Sequence, residues 1–166
     1  MEKINSLTGM TDLIETKADE NVLANKVFQT EKILKEIFTN YAMSEIRTPA
    51  LENTNLFKRS VGDTSDIVNK ELYTFSDKND KSITLRPEGT ASVMRSIIEK
   101  KLDGETHKFW YLGPMWRYER PQKGRYRQFN QAGIEILGYS EGAPEFEMIS
   151  LICEINRKSV SYTHLT

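Results

Sequence analysis

The sequence predicts an α+β fold in which helices flank an antiparallel β-sheet. Three segments carry apolar residues at helical spacing, and the segments between them alternate or are rich in aromatic residues. The predicted order is helix, strands, helix, strands, helix, and consecutive strands are joined by connections too short for crossovers, which favours antiparallel pairing. With 166 residues, 38% of them hydrophobic, the chain can bury one core.

The first part of the chain contains one long helix and a short strand. In residues 19–41, apolar residues recur at helical spacing, which predicts an amphipathic helix. A short strand is predicted around Ile46. Pro49 must end this strand or place it at a sheet edge, because proline cannot donate a ladder hydrogen bond. The polar, glycine-containing stretch 60–71 indicates a loop.

A hairpin and a second helix follow. Segments 72–75 and 82–85 flank a turn rich in Asp, Asn and Lys, which is typical of a β-hairpin. Residues 89–102 have helical periodicity, and Thr90 is placed to cap the helix.

Two strands and a last helix complete the predicted elements. The aromatic-rich segment 107–119 and the alternating segment 129–138 predict strands. Segment 144–160 predicts a helix with proline near its first turn. Residues 161–166 have no pattern of their own.

Charge is concentrated in one loop. The formal net charge of −1 excludes a protein that coats nucleic acid over its whole surface, so any polyanion binding must be local. Residues 117–127 contain five cations and one acid, a local balance of five minus one, or +4. The cations are Arg117, Arg120, Lys123, Arg125 and Arg127, and the acid is Glu119.

The remaining composition indicates a cytoplasmic protein. The single cysteine, Cys153, cannot form an internal disulfide, and its apolar helical context predicts a small core residue. Residues 1–21 contain several acids, no arginine and no apolar core, so neither a secretory signal nor a mitochondrial presequence fits. No stretch approaches the roughly 18 apolar residues of a membrane span.

Segment 129–138 has an unusual pattern for a strand. Alternation predicts one face with an aromatic ring, an amide, a glycine and a carboxylate, and an opposite core face. The first face comprises Phe129, Gln131, Gly133, Glu135 and Leu137, and the core face comprises Asn130, Ala132, Ile134 and Ile136.

The first of these faces could hold a nucleotide joined to a small molecule. From Phe129 to Glu135 it spans about 20 Å, with Gly133 leaving room between the two ends. On alternation alone, a solvent-facing side of a sheet is the simpler interpretation. The adjoining cationic loop favours a ligand site, because arginine binds phosphate oxygens bidentately.

A second candidate constellation is the segment "LRPEGT", residues 85–90. Glu88 lies where a strand gives way to a helix, a place where loop residues are commonly functional. A carboxylate and the Thr90 hydroxyl at this point could hold an ammonium group. The same residues are also a plausible helix entry.

Other chemistry has little support in the sequence. His107 and His164 are far apart and have no neighbours at ligand spacing, so no metal site is predicted. Neither a GxxxxGK[ST] nor a GxGxxG phosphate loop is present. No serine or cysteine lies in a nucleophile-elbow context.

Three segments together resemble the histidyl-tRNA synthetase family of class II aminoacyl-tRNA synthetases. "SEIRTPALENTNLFKRSVG" is similar to the first class motif, whose proline, here Pro49, lies at the dimer interface in the family. "FWYLGPMWRYERPQKGRYRQFNQAGIEILG" is similar to the second class motif, and "TLRPEGT" to the amino-acid-binding loop. The resemblance extends over residues 7–158 and covers the N-terminal part of the catalytic domain.

The resemblance implies a histidine–tRNA ligase. Such an enzyme uses ATP, with substrate-bound Mg²⁺, to activate L-histidine to histidyl-adenylate, and transfers histidine to the 3′ end of tRNA(His). Carried over by position, Arg117 would hold the α-phosphate and act in catalysis, and Arg125 would meet the γ-phosphate. Glu119 and Phe129 would contact the adenine.

The resemblance also implies roles in binding histidine and tRNA. Glu88, Thr90 and Gln131 would hold the histidine ammonium group, and Glu135 one imidazole nitrogen. The residues that meet the tRNA acceptor stem in the family correspond to Arg120, Gln122 and Lys123.

The chain departs from the family pattern at several points. Thr8 and Gly9 stand where the family usually has a basic residue and glycine, and Asn130 stands where histidine is frequent. We expect residues 1–160 to form the N-terminal part of the catalytic domain, residues 161–166 to be an unpatterned tail, and the third class motif and the anticodon-binding domain to be absent. The chain alone is therefore expected to be inactive in histidine-dependent exchange of pyrophosphate into ATP.

Two alternative functions remain open from the sequence. One is a non-catalytic, synthetase-like regulatory subunit of ATP phosphoribosyltransferase. Such paralogues tend to lose the ATP and ammonium contacts, whereas Glu88, Arg117, Arg125 and Phe129 are present. The other is a plain RNA-binding module that uses the basic loop and its aromatic neighbours. This alternative leaves Glu88, Gln131 and Glu135 without a role.

Overall fold

A computed structural model describes residues 4–15, 22–62, 65, 67–120 and 122–163. In chain order the elements are α1 (Val22–Asn40), β1 (Ser44–Glu45), β2 (Leu51–Asn53), α2 (Thr54–Val61), a π-helical turn (Ile67–Glu71), β3 (Thr74–Ser76), β4 (Ser82–Leu85), α3 (Thr90–Glu99), β5 (His107–Trp116), β6 (Gln128–Leu137) and α4 (Ala143–Thr163). The predicted α+β class is confirmed. Helix α4 extends three residues into the predicted tail, and residues 164–166 lie outside the described ones.

The described residues divide into two units. The first takes its members from Met1–Asp12, Ile46–Leu102 and Tyr111–Gly133. The second takes them from Leu13–Glu45, Asp103–Trp110 and Ile134–Thr166.

The first unit contains an antiparallel sheet in the order β2-β4-β3. The predicted hairpin is confirmed, with Phe75 opposite Ile83 and Thr74 opposite Thr84. Thr84 is completely buried, and its hydroxyl donates to the Tyr73 carbonyl at 2.9 Å. This buried polar group is therefore satisfied by a hydrogen bond. Helices α2 and α3 pack together and contribute Phe57, Val93 and Ile97 to the core.

Two elements of the first unit were not predicted. Helix α2 begins where the Asn53 side chain accepts a hydrogen bond from the Asn55 N–H at 2.9 Å, which satisfies an otherwise unpaired donor of the first turn. The π-helical turn lies in the stretch predicted as a loop. The short strand predicted around Ile46 is present as β1, an edge strand that ends at Glu45, before Pro49.

The expectation of purely antiparallel pairing is wrong for the sheet of the second unit, which contains one parallel pair. In the sheet of order β1-β5-β6, β1 pairs with β5 in parallel, with Ser44 opposite Phe109 and Glu45 opposite Trp110. Parallel neighbours need a long crossover connection, and residues 46–106 supply one here. The Phe38 ring of α1 stacks on Trp110 with centroids 5.1 Å apart.

Helix α4 packs against α1 and buries Leu151. The prediction that Cys153 is a core residue is wrong, because this thiol is exposed. Two positions along an α-helix correspond to a rotation of about 200°, so Cys153 lies on nearly the opposite side from Leu151. No described helix is both long and apolar enough to cross a membrane.

Polar side chains connect the elements of the second unit. Lys108 Nζ donates to the Tyr41 carbonyl at 3.0 Å and to the Glu147 carboxylate at 2.8 Å. Desolvation, followed by a hydrogen bond to Glu154, raises the pKa of Tyr41 above its usual 10.0. The folded state therefore favours the neutral phenol.

We expect the stability of the second unit to fall at alkaline pH. A raised pKa means that folded Tyr41 keeps its proton where the unfolded chain loses it, so the stabilisation is complete below pH 10 and is lost as the pH rises through the folded pKa. Urea unfolding measured from pH 9 upward should show a smaller decline for Tyr41→Phe than for the wild type. Tyr139→Phe, at an exposed tyrosine, should follow the wild type, and an unchanged decline in Tyr41→Phe would refute the assignment.

Candidate functional site

Four residues predicted to bind a nucleotide line one cavity in the first unit. Arg117, Glu119, Arg125 and Phe129 surround a space of about 190 Å³, together with Gly124 and Tyr126. This volume is below the roughly 300 Å³ at which pockets begin to enclose a whole drug-sized ligand. The cavity is therefore of a size for part of a nucleotide, with the remainder outside it.

The cavity forms because β5 and β6 hold the two ends of the cationic loop together. The Arg117 N–H donates to the Arg127 carbonyl at 2.9 Å, so the end of β5 lies beside the start of β6 and the two strands run antiparallel. The Trp116 indole N–H donates to Gln128 Oε1 at 3.1 Å across the same junction. At the tip, the Arg125 N–H donates to the Gln122 carbonyl at 2.9 Å and closes a turn.

Arg117 is held by its backbone and by one side-chain donor. Its Nε donates to the Pro87 carbonyl at 2.9 Å, and its guanidinium carbon lies 5.2 Å from the Phe129 ring centroid. Neither Nη group donates to a described residue. These donors can therefore bind an anion while Nε fixes the plane of the guanidinium.

Glu119 presents an acceptor to the cavity. Its Oε2 is buried and accepts no hydrogen bond from the described residues, and Arg125 Nη1 lies 3.6 Å away, within ion-pair distance but too far for a hydrogen bond. The Arg125 side chain is 64% exposed and that of Glu119 only 18%. The site thus combines a buried acceptor with an exposed cation.

Tyr111 occupies the space that the sequence assigned to a ligand. A Cβ atom added to Gly133 would lie 2.1 Å from Tyr111 Cζ, and one added to Gly89 would lie 2.2 Å from Tyr111 Cε2. The tyrosine ring is therefore packed between the two glycines. The expectation that Gly133 leaves room for a ligand is wrong, because the ring on the neighbouring strand fills this room.

The two faces of β6 are also reversed in the first unit. Phe129, Gln131 and Gly133 are partly buried, whereas Asn130 and Ala132, predicted for the core face, are exposed. The Arg117 guanidinium and the Tyr111 ring cover the first face. Gln131 Oε1 is buried there without a hydrogen bond from a described residue, so it remains an available acceptor.

Glu88, and not Thr90, caps helix α3. Its Oε2 accepts from the Thr90 N–H at 2.6 Å and its Oε1 from the Ala91 N–H at 3.0 Å. The prediction of Thr90 as the cap is wrong, because the Glu88 carboxylate accepts both of these hydrogen bonds. Each carboxylate oxygen has a second lone pair, so capping does not exhaust the acceptors of Glu88.

We expect Glu88→Ala to lower the free energy of unfolding by about 1 kcal/mol through loss of this cap. Thr90→Val should change it by less than about 0.5 kcal/mol, as is usual for exposed positions. Chemical denaturation of the two variants tests the difference. Equal effects at both positions would contradict the assigned cap.

The other predicted site residues lie apart from the cavity or outside the first unit. Thr90 is exposed and lines a different groove with Glu52 and Arg95. Glu135, on β6, belongs to the second unit and is partly buried. The remaining predicted contact residues are all exposed, and they are Pro49, Arg120, Gln122 and Lys123.

Sequence reasoning missed Tyr111 and the structural role of Arg127. Arg127 was counted with the anion-binding cations, but its Nε donates to the Glu119 carbonyl at 3.1 Å and its guanidinium lies 4.1 Å from the Tyr118 centroid. Gly89 follows Glu88, and Gly133 lies between Gln131 and Glu135. Two glycines beside predicted ligand contacts could have indicated that a large side chain packs between them. Among the described residues, no cluster of three His, Cys, Asp or Glu could hold a metal ion.

The fold is similar to the catalytic domain of class II aminoacyl-tRNA synthetases. Over 94% of this chain and 35% of the other, it matches the apo structure of histidyl-tRNA synthetase from S. aureus, with a TM-score of 0.74 and 38% identity. A second match is a structure from Bacillus halodurans described as an ATP phosphoribosyltransferase regulatory subunit/histidyl-tRNA synthetase. The match has a TM-score of 0.75 and 21% identity, and it covers 96% of this chain and 40% of the other. At this identity the likeness shows the fold alone.

Sequence comparison narrows the class to one family. The family profile described as "Histidyl-tRNA synthetase" matches residues 20–166. Histidine–tRNA ligase from Desulfitobacterium hafniense is 54% identical over 127 residues, covering 75% of this chain and 30% of its own. That from Buchnera aphidicola is 47% identical over 155 residues, covering 93% and 35%. The chain belongs to the histidyl-tRNA synthetase family and spans about a third of the length of these curated relatives.

Proposed function

We propose that this chain supplies the nucleotide-binding and part of the amino-acid-binding residues of a histidine–tRNA ligase. The reaction would join the histidine carboxylate to the α-phosphate of ATP, releasing pyrophosphate, and then transfer histidine to tRNA(His). The observation that carries the proposal is the cavity lined by Arg117, Glu119, Arg125 and Phe129. Family membership alone does not assign catalysis, because regulatory proteins share the fold.

The chemistry of the cavity residues fits ATP. Adenine has an exocyclic amino donor, and Glu119 Oε2 is a buried acceptor in need of one. The Phe129 ring offers an apolar surface for the base. The Arg117 guanidinium, 5.2 Å from that ring, is too close for a base to lie between them, since two stacking contacts need about 7 Å. We infer that the base binds beside the guanidinium and not between it and the ring, so that Arg117 keeps its Nε bond to the Pro87 carbonyl.

The proposed catalytic role of Arg117 is electrostatic. As the carboxylate attacks phosphorus, negative charge increases on the phosphate oxygens, and a prepositioned charged donor stabilises it. Arg125 on the exposed side would meet the γ-phosphate. Among the residues that the structure describes, Glu119 is the only carboxylate that lines the cavity. Mg²⁺ would therefore be carried mainly by the ATP phosphates, which is its usual mode of binding.

The amino-acid contacts are supported less directly. Gln131 has a buried acceptor without a described donor, and Glu88 retains lone pairs beyond its capping bonds. Both suit an ammonium group. The roles of Thr90 and Glu135, the dimerisation through Pro49 and the tRNA contacts rest on the resemblance and stay predictions; the residues of the tRNA contacts are Arg120, Gln122 and Lys123. A cytoplasmic location rests on the composition and also stays a prediction.

Calorimetric titration of the chain with nucleotides tests the proposal. We expect ATP to bind more tightly than GTP, because guanine places an acceptor where Glu119 requires a donor, and histidine to strengthen ATP binding. A chain that binds RNA without ATP would favour the RNA-binding module. A folded chain that binds neither nucleotide would favour the regulatory-subunit alternative.

A further inference from the structure

Gly9 contacts the point where the cationic loop joins β6. Its carbonyl accepts hydrogen bonds from the N–H groups of Arg127 at 2.8 Å and Gln128 at 3.1 Å. The Met10 N–H donates to the Leu7 carbonyl at 3.0 Å and closes a turn around Gly9. The φ of Gly9 is +79°, in the left-handed region that favours glycine.

The same glycine packs against the Arg127 side chain. A Cβ atom at Gly9 would lie 2.9 Å from Arg127 Cγ and 3.1 Å from Arg127 Cβ. At its other end, Arg127 Nε holds the Glu119 carbonyl, and the guanidinium lies over the Tyr118 ring. One side chain therefore connects the Gly9 turn to the residue whose carboxylate faces the cavity.

We propose that the Gly9 turn, residues 7–10, is a positioning element for the adenine end of the nucleotide site. The inference rests on the proposed function. Displacing the Arg127 stem would move the Glu119 backbone and with it the acceptor beside Phe129. Phosphate contacts would persist, because the Arg117 side chain is held separately by the Pro87 carbonyl and Arg125 lies on the exposed tip.

Gly9→Ala tests this role by separating base binding from phosphate binding. We expect the variant to bind ATP about tenfold more weakly, since small misplacements of a binding group have effects of this size or larger. Its affinity for inorganic tripolyphosphate should stay within about twofold of the wild type, whereas a general loss of structure would weaken both ligands. Gly62→Ala is the matched control, because Gly62 has φ +90° and nothing within 4 Å of an added Cβ.

Arg127→Met provides a second test if Gly9→Ala fails to fold. It retains an unbranched stem but loses the Nε donor to Glu119, so we expect the same selective loss of ATP affinity. The variant that combines Gly9→Ala with Arg127→Met should bind ATP no more weakly than the single variant with the lower ATP affinity, because the two residues act through one connection. Unchanged ATP binding, or equal losses for ATP and tripolyphosphate, would overturn the positioning role. A wild-type chain that binds no ATP would overturn the proposed function as well.

Discussion

Gly133→Ala is expected to lower the free energy of unfolding by about 3 kcal/mol, at the upper end of the usual cost of overpacking. The added Cβ would lie 2.1 Å from Tyr111 Cζ. The ring cannot retreat, because Gly89 contacts its other side and Tyr111 is only 8% exposed. Urea denaturation followed by circular dichroism measures the change.

Gly104→Ala is the control for this substitution, because an added Cβ there has nothing within 4 Å. Its effect should be within about 0.5 kcal/mol of zero. Combining Gly133→Ala with Tyr111→Ala should cost less than the sum of the single variants, since the second change removes the clash. A Gly133→Ala effect as small as that of Gly104→Ala would show that the ring does not lie on this glycine.

Arg117→Met is expected to weaken ATP binding about a hundredfold, which corresponds to about 3 kcal/mol. Charge-assisted hydrogen bonds contribute about 1.5–3 kcal/mol each, and the Nη groups could donate two to a phosphate. The methionine would also leave the Pro87 carbonyl without the 2.9 Å bond from Nε. Calorimetric titration with ATP measures the loss.

Arg120→Met provides the matched control, because Arg120 is an exposed cation of the same loop that does not line the cavity. It should bind ATP within about threefold of the wild type, the remaining effect of one distant surface charge. Equal losses in the two variants would mean that the loop attracts ATP through its overall charge. Arg117 would then have no particular role.

The sequence predicted the elements that depend on local patterns. The 72–85 hairpin and helices α1, α3 and α4 are present as predicted. They could be predicted because turn residues and apolar spacing are local signals. Helix α2 was missed because its start depends on the Asn53 side chain, in a stretch where the apolar pattern is weak. The parallel β1 and β5 pairing was missed because nothing local specifies a partner about sixty residues away.

The candidate site was predicted in its composition and only partly in its geometry. The four nucleotide residues lie within thirteen positions, so a loop between paired strands brings them together. The burial of β6 was reversed because it depends on Tyr111, a residue of another strand. The cap formed by Glu88 and the contact of Gly9 with Arg127 are likewise tertiary details that alternation and charge counts do not contain.

The likeness to a regulatory subunit/synthetase structure shows why the site matters more than the fold. At 21% identity the fold is retained with a TM-score of 0.75, so the fold does not distinguish a ligase from a regulatory protein. The cavity residues do make this distinction possible. Their function depends on whether ATP binds among them.

Nuclear magnetic resonance titration of the ¹⁵N-labelled chain with Mg²⁺–ATP tests this point most directly. We expect the largest shift changes at the backbone amides of residues 117–129 and at the Arg117 side-chain Nε–H, with little change along α4. Saturable shifts at these positions, removed by Arg117→Met and retained in Arg120→Met, are the predicted result. Saturable shifts confined to other parts of the chain, or none at all, would contradict a nucleotide site in this cavity.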